Sequence, residues 1–299
     1  MLYIIKYNVC NFLSKLLIGV SVFIYIIFFT HETVAQSRLD MGRVDSLLHL
    51  TIFDTIDLED RQKYFEDAKK LTLECLQQPN SFHLDLSHMN WVSVLYPQDS
   101  SFRIFTAQLN HMFVQYEYWG ILQKNDGTLI ELKDDITAYE DNFEYDSFDE
   151  SAWYGALYYN IHQFESSKGR KYLLFGFRGI GPFKSRKFID VLDFDHGQAS
   201  FGAPVFKIER NGELFEMSRF KLDYAPKAVV SLNFDFAQGQ IFFNHLITVN
   251  SGHPKAGLVN VPDGTFEVMK LENGLWRHYG TPIDLLSSEM FDRKKSDKR

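Results

Sequence analysis

Residues 172–195 read YLLFGFRGIGPFKSRKFIDVLDFD. A hydrophobic run enters Gly176, Gly179 and Gly181, and a basic, then apolar, segment leaves them. A strand, a phosphate-cradling glycine loop and a helix would fit this outline, and so would two strands joined by a turn. The dinucleotide fingerprint needs G-x-G-x-x-G after a strand and at the start of a helix. Here the order is G-x-x-G-x-G, Pro182 follows directly, and no Gly-Lys-Ser/Thr closes a P-loop. The stretch therefore reads as a surface turn over residues 176–182. Residues 187–194 stay open between the two states. Phe188, Val191, Leu192 and Asp195 have helical spacing, while the β context favours a strand.

That context comes from the neighbouring segments. Trp153, Leu157, Tyr159 and Ile161 alternate with Tyr154, Tyr158, Asn160 and His162. Ala228, Val230, Leu232, Phe234 and Phe236 share one parity, with Ser231, Asn233 and Asp235 on the other, as in a strand with one wet face. Over 214–224 the alternation slips near Ser218, as a β-bulge would make it do. Asp126-Gly127, Asn211-Gly212, Asp263-Gly264 and Asn273-Gly274 separate strand-like runs and suit hairpin turns with φ > 0. Gln238-Gly239 and His196-Gly197 are weaker versions of the same signal. Together they predict about ten to twelve strands. The expected fold is mainly β, an antiparallel meander forming a sandwich or curved sheet, with a short helical N-terminal segment.

The helical segment covers 36–80. Val44, Leu47, Leu48 and Ile52 repeat at helical spacing, and Phe65, Ala68, Leu71, Cys75 and Leu76 form a second stripe that Pro79 closes. Asp57 is the expected N-cap of the second helix. Cys75, inside that stripe, reads as a small buried hydrophobe.

Ahead of it, Lys6 and Lys15 precede an apolar run from Leu16 to Phe29, 14 residues long. A membrane-spanning helix needs about 20. With Thr33-Val34-Ala35 behind the run, residues 1–35 read as a secretory signal peptide. Left uncleaved, they would anchor the chain, its sole expected contact with a membrane. The expected organisation is 1–35 signal peptide, 36–80 helical segment, 81–291 antiparallel β domain and 292–299 a disordered charged tail. The location implied is the periplasm or the exterior of a Gram-negative type of cell. Removal of the leader takes Cys10 with it and leaves Cys75 alone, without an intramolecular disulfide.

The 299 residues carry a net charge of −8, with 28 Phe and 15 Tyr. An acidic chain without a basic stripe is a poor phosphate binder, which argues against nucleic acid. Heavy aromatic usage suits pleated, half-buried surfaces. Most of these rings belong to a core. Trp119, Trp153 and Trp276 could also form a sugar-stacking platform, and Tyr154 and Tyr158, on the wetter parity of their strand, are the ligand-binding candidates to watch.

Paired carboxylates are the minimal equipment of a glycoside hydrolase. The acidic stretch 141–150, DNFEYDSFDE, offers Glu144, Asp146, Asp149 and Glu150, and DFDHG offers Asp193 and Asp195 on one side of a strand. Asp146, Asp149, Asp193 and Asp195 are the catalytic candidates, each also explained by chance in an acidic chain. The acidic stretch lacks the ligand order of an EF-hand. His83-x-Asp85-x-x-His88 has two imidazoles and a carboxylate but not the zincin spacing, so no metal and no cofactor is expected. His245 shares the parity of Ile241, Phe243, Ile247 and Val249. It reads as a core histidine with a hydrogen-bond partner, or as a ligand-binding residue at the sheet face. No G-x-S-x-G elbow occurs.

SSFRIFT from residue 100, WYGALYYNI (153–161), KYLLFGF (171–177) and VPDGTFE (261–267) resemble a family of uncharacterised secreted β-rich proteins of Bacteroidota-type bacteria. The resemblance spans about residues 80–280. It implies an exported compartment and a β-rich body, and it carries no activity, cofactor or site residue. The leading expectation is an envelope binding or structural protein whose partner is a glycan or an envelope protein. The alternative is a glycan-directed hydrolase using two of the carboxylates above.

Overall fold

A computed structural model describes residue 36 and residues 38–280, apart from 54–55, 112–114, 136–141, 196 and 211–212. Residues 1–35, expected to be a leader, and the charged stretch 292–299 lie outside the described residues. Two helices come first, α1 over 38–50 and α2 over Leu58–Leu76. Asp57 does occupy the N-cap of α2, but its side chain makes no capping bond. The helix buries Phe65, Ala68, Thr72, Cys75 and Leu76, a stripe at three- and four-residue steps. Cys75 is buried, and burial pushes its thiol up to about 11, with Asp40 and Glu74 adding to the shift. Ile52, expected in the α1 stripe, is exposed instead, because α1 stops before it.

The rest is mainly β and antiparallel. A front sheet holds β1 (Ser93–Leu95), β2 (Phe102–His111), β3 (Gln115–Lys124) and β4 (Leu129–Leu132) in chain order. A central sheet holds β5 (Phe148–Asp149), β6 (Leu157–Ser166), β7 (Gly169–Gly181), β8 (Lys184–Asp195) and β9 (Gln198–Phe201) in the order β5-β9-β8-β7-β6. A back sheet is built from β10 (Phe206–Arg210), β11 (Glu213–Met217), β13 (Leu232–Asp235), β14 (Gln240–Asn250), β15 (Leu258–Glu272) and β16 (Leu275–His278). Its order is β11-β10-β16-β15-β14-β13, while β12 (Phe220–Tyr224) leaves it to pair with β8. The described residues thus contain sixteen strands rather than ten to twelve. Among the strand pairs, β10 with β16 is parallel, so the back sheet is a hairpin added to a meander.

Four layers result. The helices cover the front sheet through Val44, Leu48, Phe65 and Ala68 against Phe105, Leu109 and Ile121. The other face of the front sheet, with Phe102, Ile104 and Leu122, packs on Leu174, Phe188 and Leu192 of the central sheet. The opposite face of the central sheet, with Leu173, Phe175, Ile189 and Val191, packs on Phe206, Ile241, Phe243 and Trp276 of the back sheet. The central sheet is therefore covered by a layer on both faces. That is why residues 172–177 read as a continuous apolar run and not as an alternation.

Several expectations change in this light. Residues 187–194, open between helix and strand, are strand, part of β8, as the β context favoured. Gly176 and Gly179 lie inside β7, and the turn is only Pro182-Phe183, with Gly181 paired to Lys184. The two interior glycines serve packing. A Cβ at Gly176 would lie 3.0 Å from the Phe188 ring, and one at Gly179 would lie 2.2 Å from the Tyr116 ring. The slip at Ser218 is not a bulge within one strand. It is the crossing from β11 in the back sheet to β12 in the central one. Asp263-Gly264 is not a hairpin turn either. It bulges within β15, opposite His245, between the pairs Asn244–Phe266 and Leu246–Pro262. Asp126-Gly127 and Asn273-Gly274 do turn hairpins, the latter with φ of 50° and 79°. The Asn211-Gly212 turn lies outside the described residues. The strand expected over 228–236 is shorter, Leu232–Asp235, with the anticipated parity.

Between the front and central sheets runs a ladder of guanidinium groups and rings. Arg178 lies over Tyr118 and Tyr154, Arg186 over Tyr154 and Phe143, and Arg219 over Phe143 and Phe148. Each cation has a carboxylate: Asp134 for Arg178, a bidentate Asp223 for Arg186, and Asp190 for Arg219. Arg178 and Arg186 are direct cross-strand partners, so without those carboxylates the pairing would be repulsive.

Candidate functional site

The candidate site is a cleft of about 500 Å³ at one open end of the central–back sandwich. Two hairpin turns and a crossing segment frame it. The β6–β7 turn brings Ser166, Ser167 and Lys168, and Ser166 Oγ donates to the Gly169 carbonyl at 2.7 Å. The β15–β16 turn brings Gly274. Its Cβ position lies 2.5 Å from the Ser167 nitrogen, so only glycine lets the two turns touch. Residues 202–205, where the chain crosses from β9 to β10, complete the frame.

The polar floor follows from strand register. Phe164 on β6 opposes Lys171 on β7, Asp193 on β8 opposes Ser200 on β9, and Asp149 on β5 opposes Ser200 from the far side. Cross-strand partners point to the same face. Lys171 donates to Asp193 Oδ2, which joins the two halves into one row. The Lys171 side chain is 5% exposed and that of Asp193 29%, so the ammonium sits behind a carboxylate that reaches the cleft. Asp193 Oδ1 also accepts from the Phe194 backbone nitrogen at 2.9 Å.

Of the four catalytic candidates, the row gathers Asp149 and Asp193, two strand spacings or about 10 Å apart at Cα. Asp149 stands outside the cleft and caps a short 3-10 turn, accepting from the Ser151 backbone and hydroxyl at 2.9 and 2.6 Å. Those bonds hold its carboxyl below the usual range. A glycosidase acid must instead keep its proton near the working pH. Asp146 lies away from the row; its carbonyl accepts from Arg219 Nη1 at 2.7 Å. The acidic stretch folds by its carbonyls, since those of Phe143 and Glu144 also receive bonds, from Arg219 and the Ser218 backbone. Asp195 ends β8, and its side chain lies outside the described residues. Among the described residues, no group of three or more His, Cys, Asp or Glu side chains is placed to hold a metal.

Tyr154 and Tyr158 do not face the wet side. Both are buried: Tyr154 precedes β6, which starts only at Leu157, and Tyr158 lies beside the bulge at Tyr159 in a strand with a layer on each face. Tyr158 receives a bond from Trp153 Nε1 at 3.0 Å and donates to Asp190 at 3.2 Å, while Tyr154 serves the arginine ladder. Trp119, Trp153 and Trp276 are buried too, so none is a platform; Trp91, which lies outside any alternating run, is 41% exposed. His245 is not in the core. It sits opposite the β15 bulge, half exposed, and meets Asp263 Oδ2 at 2.8 Å. Bonds from the Thr265 backbone and hydroxyl, with His245, hold Asp263 down at about 2.

No protein-family model, curated protein or solved structure matches this chain. No helix among the described residues is long and apolar enough to cross a membrane.

Proposed function

We propose that this is an exported binding protein of the cell envelope and that its cleft holds a hydroxyl-rich ligand, a glycan segment. The observation that carries the reading is the row Lys171–Asp193–Ser200 on the cleft floor. It offers a carboxylate acceptor and a serine hydroxyl at strand spacing, framed by more serines and Lys168. Such a comb matches successive sugar hydroxyls. Export rests on the basic, apolar and small-residue pattern of residues 1–35.

The hydrolase alternative draws on Asp149 and Asp193 sharing one row. It is the weaker reading, because Asp149 is held ionised by its cap and Asp193 is held by Lys171. Calorimetric titration of soluble envelope polysaccharides tests the choice. Binding that falls at least tenfold in Ser200→Ala, and in the paired change Lys171→Met with Asp193→Asn, supports the cleft. Release of reducing sugar that Asp193→Asn abolishes would favour the hydrolase. No binding of any polysaccharide removes both.

A further inference from the structure

A second feature lies on the helical side of the molecule. Trp91 stacks on His49 with ring centroids 4.5 Å apart and planes 20° from parallel, and Phe53 meets His49 edge-on at 4.9 Å. One face of the indole is thus covered by His49. Trp91 is still 41% exposed. The backbone that carries the ring is held in place. Asp45 Oδ1 on α1 accepts from the backbone nitrogens of both Asn90 and Trp91 at 2.8 Å. An exposed aromatic fixed in this way loses little freedom when a ligand lands on it.

Beside the indole is a pocket of about 320 Å³, walled by Leu48, Ile52, Asn90, Trp91, Gln108 and Leu157 among others. Gln108 Oε1 in that wall is buried and accepts no hydrogen bond from any described residue. An unpaired buried acceptor is costly, and an entering hydroxyl would relieve it. The Asn90 amide at the rim already donates to the His88 carbonyl at 2.9 Å, which fixes its oxygen as the free acceptor.

We propose that this shelf is a second carbohydrate site, which takes a neutral pyranose ring with its apolar C–H face on Trp91 and its hydroxyls on Gln108 and Asn90. A sugar ring fits both halves of the site. One face presents C–H groups to the indole, and the rim carries donors for the two amide oxygens. A purely apolar peptide would leave Gln108 unpaired. The shelf and the cleft lie at opposite ends of β6, since Leu157 lines one and Ser166 the other. Ten residues of strand separate them by about 30 Å. The inference rests on the glycan-binding reading for its ligand class, but on none of the cleft residues.

The test uses cellohexaose, chitohexaose and laminarihexaose on the full chain. Titration calorimetry and acrylamide quenching of tryptophan emission are read together. Trp91 is the exposed one of four tryptophans, so protection from quenching reports the shelf. The expected result is binding of at least one hexaose, with quenching suppressed. Trp91→Ala lowers affinity at least tenfold, Gln108→Leu lowers it less, and Trp91→Phe recovers part of the loss. Circular dichroism and melting temperature show that the variants are folded. Loss in Trp91→Ala supports the shelf whichever way the paired Lys171→Met, Asp193→Asn variant behaves. Hexaose binding that survives Trp91→Ala and vanishes in the paired variant overturns the shelf and leaves the cleft standing. A wild-type chain that binds none of the three at millimolar concentration also overturns it, and the cleft is then judged on the polysaccharides alone.

Discussion

Asp190 and Arg219 are both wholly buried, and the guanidinium spends its donors on Asp190 and on the carbonyls of Phe143, Asp146 and Phe201. Asp190 also accepts from Tyr158. Removing one partner of such a pair strands the other in a dry interior, at a cost of about 3–5 kcal/mol. Asp190→Asn is therefore expected to lower the urea midpoint by that equivalent. A midpoint shift below a third of it would mean that Arg219 finds compensation elsewhere. His162 is a different case. Its ring stacks on Phe234 with centroids 3.5 Å apart, and burial holds its pKa down at about 4. The unfolded chain takes up a proton near the ordinary value of about 6.5. The stability due to neutral His162 is therefore complete above that value and is lost as pH falls from it toward 4. Denaturation at pH 7 and pH 4.5 should show a larger loss for the wild type than for His162→Phe. Equal losses would show that His162 is not the group that titrates.

The glycine-bearing turns and bulges set the form of the elements. Gly264 in the β15 bulge has φ of 94° and open space around its Cβ position, whereas Gly274 has φ of 79° and a backbone nitrogen 2.5 Å away. Ala at Gly264 therefore meets only left-handed strain, about 1–2 kcal/mol. Ala at Gly274 meets that strain and also pushes the β6–β7 turn off the β15–β16 turn. Gly274→Ala should melt several degrees below Gly264→Ala and weaken ligand binding in the cleft, and identical melting temperatures would remove the argument. Both sites appeared in the sequence as the same signal, an Asn/Asp-Gly pair between strand-like runs. Local chemistry calls for φ > 0 in a hairpin and in a bulge alike, so the pair cannot tell them apart. Only the length of the partner strand decides, and that strand, β14, is fixed by its own packing.

The layering governs the whole molecule. β7 and β8 are covered on both faces and paired along both edges, while residues 246–262 of the β14–β15 hairpin are mostly half-buried or exposed. Local opening follows burial and bonding. In hydrogen exchange, amides of 172–178 and 187–192 should be the last to exchange and those of 246–262 among the first. Early exchange in β7 would mean that the front sheet and helices detach as a unit. The layers also explain the fate of the site candidates. A tyrosine on the wet parity of a two-layer sandwich becomes a core residue once a third sheet covers that face, which is what happens to Tyr158, while Tyr154 is buried in the segment that leads into β6.

The chain's own pattern determines the two helices, the mainly β body, the absence of a phosphate loop and most of the hairpins, because each follows from local periodicity or from the φ that a turn requires. Asp193 was legible as a candidate only through residue type. Its partner Lys171 was not, nor was Ser200, since they meet it through register between strands that the sequence leaves free to slide. Trp91 stands outside any alternating run, and its backbone is held by Asp45 reaching across from a helix. The number of layers, the crossing at Ser218 and the outward turn of His245 were decided by tertiary structure. Period two states which residues share a face, and only packing states whether that face meets water or another sheet.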